Sequence, residues 1–76
     1  MRRYFFDRIG NGRKEYDYRG KRLASNARAR QIAELIAMDL ELSPEGEWSG
    51  WTVGVYTPKG ECCVLIPVKD PDPAFV

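Results

Sequence analysis

The sequence predicts an α+β fold, ββαββ, in which a four-stranded antiparallel sheet carries one helix packed on one face. Three observations carry this prediction. An Asn-Gly pair at residues 11–12 separates two segments that favour strands. The window Asn26–Leu42 has apolar residues at helical spacing. Two further strand-like segments flank the turn sequence Thr57–Gly60. Two hairpins and one helix form a two-layer arrangement.

The first hairpin is predicted from the segments on either side of the Asn-Gly turn. Arg3–Ile9 is rich in aromatic and β-branched residues, which favour strands. The return segment, Arg13–Tyr18, alternates side chains between two faces. Asn-Gly accepts the positive φ values that a two-residue hairpin turn requires. The two segments are therefore predicted to pair antiparallel.

A polar connector is predicted over Arg19–Arg22, after the second strand. Asp17 can accept hydrogen bonds from the backbone that follows it, and Gly20 can adopt a left-handed conformation. Leu23 is expected to anchor the connector to the core, because it is the first apolar residue after this polar run.

The helix is predicted to begin after Ser25, a suitable N-cap residue, and to end before Pro44 and Gly46. Its apolar residues recur at i, i+3, i+4, i+7 and i+11, which predicts one core-facing stripe. Leu35 and Met38 are expected to broaden that stripe. Its members are Ala29, Ile32, Ala33, Ile36 and Leu40.

The second hairpin is predicted to join strands over Trp48–Thr57 and Glu61–Val68. If the first and third strands pair, all neighbours are antiparallel and the spatial order is 2-1-3-4. Residues 1–68 then form one domain. The two Asp-Pro steps after them predict a flexible tail over residues 69–76.

The opening Arg3-Tyr4-Phe5-Phe6-Asp7 resembles a family of small bacterial proteins of unknown function, common in rhizobia and their relatives. The resemblance continues through the hairpin turn, the spacing Asp17-x-x-Gly20-x-x-Leu23, the alanine-rich helix and an apolar last strand, and so covers most of the chain. It implies a fold shape and a bacterial source. It brings no activity, because fold alone does not supply one.

Composition excludes several classes of function. The 76 residues include no His, which removes His-based catalytic dyads and the commonest metal ligand. The two cysteines, Cys62 and Cys63, are neighbours on a predicted strand and point to opposite faces, so they cannot chelate one metal together. We therefore predict no catalytic residue, no metal and no cofactor. The apolar run Cys62–Val68 is far shorter than the ~20 residues of a membrane span. With no secretory signal, a cytoplasmic protein without membrane association is expected.

The net charge of +1 conceals a strong segregation of charge along the chain. Residues 1–38 hold ten basic and four acidic residues, whereas residues 39–76 hold two and seven. Five of the cations are expected to cluster around the helix N-terminus, where they would bind an anion or nucleic acid, unless they form only a solvated surface. These cations are Arg19, Lys21, Arg22, Arg28 and Arg30.

Apolar residues occur on both faces of several predicted strands, although one helix can cover only one face. An uncovered apolar face on a small protein marks an interface, which a homodimer could bury face to face or edge to edge. The candidate interface residues are Phe5, Tyr16, Tyr56 and Leu65. We expect an interaction or regulatory module that associates with itself or with a partner protein through the sheet. The alternative is a nucleic-acid or anion-binding module that uses the basic cluster.

Overall fold

A computed structural model describes residues 1–69 and shows an α+β fold with one helix and an antiparallel sheet. The predicted fold class is confirmed, but the described sheet has five strands rather than four. Residues 70–76, which make up most of the predicted tail, lie outside the described residues. The elements are β1 (Arg2–Gly10), β2 (Arg13–Glu15), β3 (Lys21–Leu23), α1 (Asn26–Glu41), β4 (Thr52–Tyr56) and β5 (Cys62–Pro67).

β1 is the long central strand on which the other strands assemble. On one side it pairs with β4, Phe5 opposite Tyr56. On its other side it pairs with β2 near its end and with β3 near its start. The order β2-β1-β4-β5 agrees with the predicted 2-1-3-4 order, and β3 is an addition to it. The prediction of a connector over Arg19–Arg22 is therefore wrong for its second half, which pairs with β1.

Asp17 explains why the predicted second strand is shorter and is followed by a separate one. β2 ends three residues earlier than predicted. The Asp17 carboxylate accepts hydrogen bonds from the backbone N–H groups of Phe6 (3.1 Å), Arg19 (3.0 Å) and Gly20 (3.1 Å). It thus replaces a main-chain acceptor beside β1, and the chain leaves the sheet edge as a loop. Gly20 has φ +71°, and a Cβ there would lie 2.9 Å from the carbonyl oxygen of Tyr4.

α1 packs on the sheet through small side chains. Its predicted N-cap is confirmed, because the Ser25 hydroxyl accepts a hydrogen bond from the Arg28 N–H (3.1 Å). The expectation for Leu35 and Met38 is wrong: both are 58% exposed, because the helix packs on the sheet through its alanines and leaves these larger side chains largely outside the core. The buried helix residues are Ala29, Ala33 and Ala37.

The core lies between α1 and the face of the sheet that carries Tyr4, Val53 and Val55, all with no exposed surface. Trp51 closes this core at one end. The third strand was predicted to begin at Trp48, but the Trp51 N–H donates to the Trp48 carbonyl (3.0 Å), so these residues form a turn before β4. The sheet face opposite α1 is left without a covering element among residues 1–69.

Candidate functional site

Three of the four predicted interface residues share the face of the sheet that α1 leaves open. Phe5 and Tyr56 are cross-strand partners on β1 and β4, and Leu65 lies opposite Gly54 on β5. Tyr16 joins Phe5 and Tyr56 in the lining of a shallow depression of about 260 Å³. Leu65 lies outside this depression. The structure therefore brings Phe5, Tyr16 and Tyr56 together around the depression and places Leu65 on the edge strand β5.

Side chains of the protein itself close the centre of this open face. The Tyr56 ring lies against Gly54, where a Cβ would come within 2.8 Å of a ring carbon. The Lys14 ammonium sits over the same ring, 3.9 Å from its centroid. Lys14 also lies 3.4 Å from a carboxylate oxygen of Asp7, whose exposed fraction is 4%. A partner approaching the face therefore meets a filled surface rather than a bare apolar patch.

The charged groups on and beside this face are stabilised by their neighbours. The Asp7 carboxylate also accepts a hydrogen bond from the backbone N–H of Asp17 (2.9 Å). Desolvation lowers the pKa of Lys14, but Tyr56 and Asp7 outweigh it and raise that pKa above its ordinary 10.5. Burial raises the pKa of Asp17, but three backbone N–H donors, with Lys21 nearby, outweigh burial and bring it below 3.8. Sequence reasoning missed Lys14 because its contact with Tyr56 spans two non-neighbouring strands.

The outer edge of the sheet, at β5, lacks the charged and aromatic side chains that fill the open face. Within residues 1–69, β5 pairs with β4 only, so one row of its backbone N–H and C=O groups has no strand partner. Its six residues, Cys62–Pro67, include no charged side chain. Leu65 on this strand is 54% exposed. β5 is thus an uncharged edge strand of ordinary length that is open to pairing.

A groove continues this edge onto the helix. It encloses about 340 Å³ between α1 and the end of β5. Met38, Ile66 and Pro67 give it apolar walls, and Glu34 and Glu41 stand among its lining residues. Glu41 also accepts a hydrogen bond from the N–H of Lys69 (3.1 Å), which ties the chain after β5 to the helix. Helix and edge strand together form one border of the molecule.

Two of the five predicted anion-binding residues lie on the helix, and three lie on or just before β3. Arg28 and Arg30 lie on α1, where their guanidinium groups contact Gln31 (3.0 Å) and Glu34 (3.8 Å) on the same helix. The other three lie on or just before β3, beside the start of β1. Because β3 was not predicted as a strand, its pairing with the start of β1, which brings Arg22 opposite Arg3, was not predicted either. The three residues are Arg19, Lys21 and Arg22.

These three cations adjoin the start of β1 and the β4–β5 turn. Arg22 lies opposite Arg3 across the β1–β3 pair, and the Arg3 guanidinium donates to the Arg19 carbonyl. Arg3 also lines a depression of about 300 Å³ with Arg2 and Lys59. Together, the cations of β3, of the start of β1 and of the β4–β5 turn form a group of six that we call the basic end. Its members are Arg2, Arg3, Arg19, Lys21, Arg22 and Lys59.

The basic end differs from the rest of the described chain in its ion pairs. Cations elsewhere form three ion pairs, but no cation of the basic end lies within salt-bridge distance of a described carboxylate. The three pairs are Arg8–Glu15, Lys14–Asp7 and Arg30–Glu34. Two carboxylates stand near the basic end at longer range, Asp17 beside Lys21 and Glu61 in the depression that Arg3 lines. The excess positive charge of its six cations is left for solvent or a ligand to balance.

Cys62 and Cys63 are free thiols. In the described part of the chain, no group of three or more Cys, Asp or Glu side chains could hold a metal ion. The helix found within residues 1–69 is too short and too polar to cross a bilayer. Comparison with known proteins finds no matching family model, no matching curated protein and no matching solved structure.

Proposed function

We propose that the protein is a self-associating interaction module whose β5 edges pair antiparallel in a homodimer. The observation that supports this most is the six-residue, uncharged edge at Cys62–Pro67. Soluble proteins usually protect a sheet edge with short strands, charged side chains, proline or a covering element. β5 has only Pro67 at its last position and a register shift opposite Val55 and Tyr56 at its beginning. The outward-pointing backbone groups in the middle of β5 are therefore available to pair with another strand.

A second copy of the chain is the occupant that best fits this edge. An antiparallel strand is self-complementary about a two-fold axis, so β5 of one copy offers β5 of another the pairing groups it lacks. The opposite edge of the sheet consists of the three-residue strands β2 and β3, separated by the loop at Asp17. Because only one edge can pair over any length, association closes at two copies instead of growing into a filament.

Edge pairing fits the structure better than stacking of two open faces. The open face is filled at its centre by Tyr56 and Lys14, and desolvating that ammonium would cost free energy. A stable interface buries about 800 Å² per partner, more than the backbone of one short strand provides. Leu65 and the groove at Met38 flank the β5 edge and supply apolar area, with Glu34 and Glu41 as a polar rim.

The test compares two leucines of nearly equal exposure. Leu65→Lys places a charge on the β5 edge, while Leu35→Lys makes the same change on the outer side of α1. In sedimentation equilibrium, we expect a wild-type dimer, dissociation of Leu65→Lys with at least about a tenfold weaker dimer, and little change for Leu35→Lys. Far-UV circular dichroism checks that both variants fold. A wild-type monomer at high micromolar concentration would contradict the proposal, as would equal weakening by both variants.

A further inference from the structure

We infer that the basic end and the loop over residues 16–20 form a binding site for single-stranded nucleic acid. In this site, the cations contact successive phosphates and the exposed tyrosine rings stack on bases. The site lies on β1, β3 and the turn after β4, away from the β5 edge, so it does not depend on the proposed dimer.

The cations of the basic end form no ion pair within residues 1–69. Arg3 and Arg22 lie directly opposite each other on β1 and β3, and like charges in that arrangement repel. Among residues 1–69, no carboxylate lies within salt-bridge distance of either guanidinium. Such a pair is stabilised when an anion binds between the two groups. The cations of the basic end therefore favour a ligand with negative charge.

The cations of the basic end are spread over several strands rather than gathered around one point. Neighbouring strands lie about 4.8 Å apart, so Arg22 on β3, Arg3 on β1 and Lys59 beyond β4 form a row across the sheet. The row spans about two strand spacings, roughly 10 Å. A chain of phosphates can contact such a row along its length, and releasing its counterions favours binding. The row therefore fits a polyanion.

A pair of exposed aromatic rings lies beside Arg19 and Lys21 of the basic end. Tyr16 is 57% exposed and Tyr18 is 88% exposed, with ring centroids 6.1 Å apart. Tyr18 precedes Arg19 directly, and both tyrosines share a surface depression with Arg19 and Lys21. Rings that stack on bases next to cations that bind phosphates are typical of proteins that bind single strands without reading sequence. A duplex hides its bases, so the rings favour single strands over duplex.

The loop over residues 16–20 is held in place before any ligand binds. Asp17, between the two tyrosines, accepts hydrogen bonds from the N–H groups of Phe6, Arg19 and Gly20. The Arg19 carbonyl in turn accepts a hydrogen bond from Arg3. A loop fixed in this way loses little conformational entropy when it binds. The exposed rings and Arg19 are therefore presented to a ligand in a defined arrangement.

The test is fluorescence anisotropy of a labelled oligothymidylate and of a duplex of equal length, each titrated with the protein at several salt concentrations. We expect the wild type to bind the single strand more tightly than the duplex. Arg3→Ala/Arg22→Ala should weaken single-strand binding by about tenfold or more. It should also reduce the slope of log K against log salt by about 1.4, since each lost contact on a single strand contributes about 0.7.

The matched control is Arg28→Ala/Arg30→Ala, which removes the same charge from the helix. We expect less than about a threefold change, because these residues lie outside the site. Tyr18→Ala, at an 88% exposed position that is safe for folding, should weaken binding by about fivefold or more and leave the salt slope unchanged. Thermal unfolding of each variant checks that the fold is intact.

Five results would overturn the inference. One is no binding of the wild type to the single strand at low salt, and another is binding to duplex as tight as to single strand. Equal loss in the two double variants would show dependence on net charge alone, and greater loss in the Arg28/Arg30 variant would place the site at the helix N-terminus. Binding to phosphatidylserine vesicles without binding to the oligonucleotide would assign the basic end to a membrane surface.

Discussion

The two edges of the sheet are built from opposite kinds of residue. The β5 edge runs without interruption over Cys62–Pro67 and carries no charge. The other edge is divided into β2 and β3, three residues each, and basic side chains line both strands. Between them, the Asp17 carboxylate takes the position of a strand and bonds to the backbone of β1 at Phe6. One edge is open to pairing, and the other is blocked by its own side chain.

The difference shows how a small sheet can associate in a limited way. A protein with two open edges can add copies on both sides and form fibres. Here a single carboxylate, together with the positive φ at Gly20, prevents one edge from extending. The other edge is then free to serve as an interface. Asp17 is therefore as important for the proposed dimer as the residues of β5 itself.

Asp17→Ala is expected to have the largest effect, because it removes the group that keeps β2 and β3 apart. Three backbone N–H groups lose a charged acceptor, which we expect to lower the free energy of unfolding by about 3 kcal/mol. Urea unfolding measures this loss. Without the carboxylate, the second edge can also extend, so light scattering should show species larger than a dimer. Asp39→Ala, which removes an exposed helix carboxylate, should do neither. An Asp17→Ala protein of wild-type stability would show that the loop does not depend on this group.

Lys14→Met changes the open face and leaves the β5 edge and the Asp17 loop unaltered. Methionine keeps the apolar part of the side chain but removes the ammonium over Tyr56, so the buried Asp7 carboxylate loses its ion pair. We expect the free energy of unfolding to fall by about 1–2 kcal/mol, less than for a fully buried pair because Lys14 is 31% exposed. Urea unfolding at neutral pH checks this. The dimer constant should stay unchanged, and a large change would indicate stacking of open faces.

Acidification should act on the Asp17 edge in a graded way. The folded-state pKa of Asp17 lies below 3.8, so its stabilisation is present above that pH and disappears as the pH falls through the folded-state pKa. Urea midpoints measured from neutral pH downward should therefore fall more steeply for wild type than for Asp17→Ala below about pH 4. The effect is smaller than that of the substitution at neutral pH, since protonation keeps part of the hydrogen bonding. Parallel curves for the two proteins would contradict the role given to Asp17.

Local sequence patterns predict much of this fold. The Asn-Gly turn, the Ser25 cap, the helix and the strand order all follow from short-range preferences. β3 was missed because Lys21-Arg22 has little strand preference, and its pairing depends on the distant β1. Leu35 and Met38 were placed wrongly because the helix approaches the sheet closely through alanines, which leaves larger side chains outside.

The candidate site was predictable only where strand alternation decides it. Alternation places Phe5, Tyr56 and Leu65 on one face, as the register shows. The contact of Lys14 with Tyr56, and the position of Arg22 opposite Arg3, depend on the pairing of strands far apart in the chain. A local sequence pattern does not show which residues of two distant strands lie opposite each other. For the same reason, the sequence grouped Arg28 and Arg30 with cations that the structure places in another layer.

Hydrogen exchange of the β5 amides tests the central claim most directly. The amides of residues 62–66 cannot all donate to β4, since alternate N–H groups of an edge strand point away from its partner strand. We expect the outward-pointing amides to exchange slowly at protein concentrations that favour the dimer, because a second β5 supplies their acceptors. They should exchange rapidly when the protein is diluted to monomer.

The two leucine variants serve as controls for this measurement. Leu65→Lys should exchange rapidly at both concentrations, while Leu35→Lys should behave as wild type. We predict slow exchange of the outward-pointing β5 amides in every sample that sedimentation shows to be dimeric. Rapid exchange of these amides in such a sample would contradict it, since the dimer would then form through another surface.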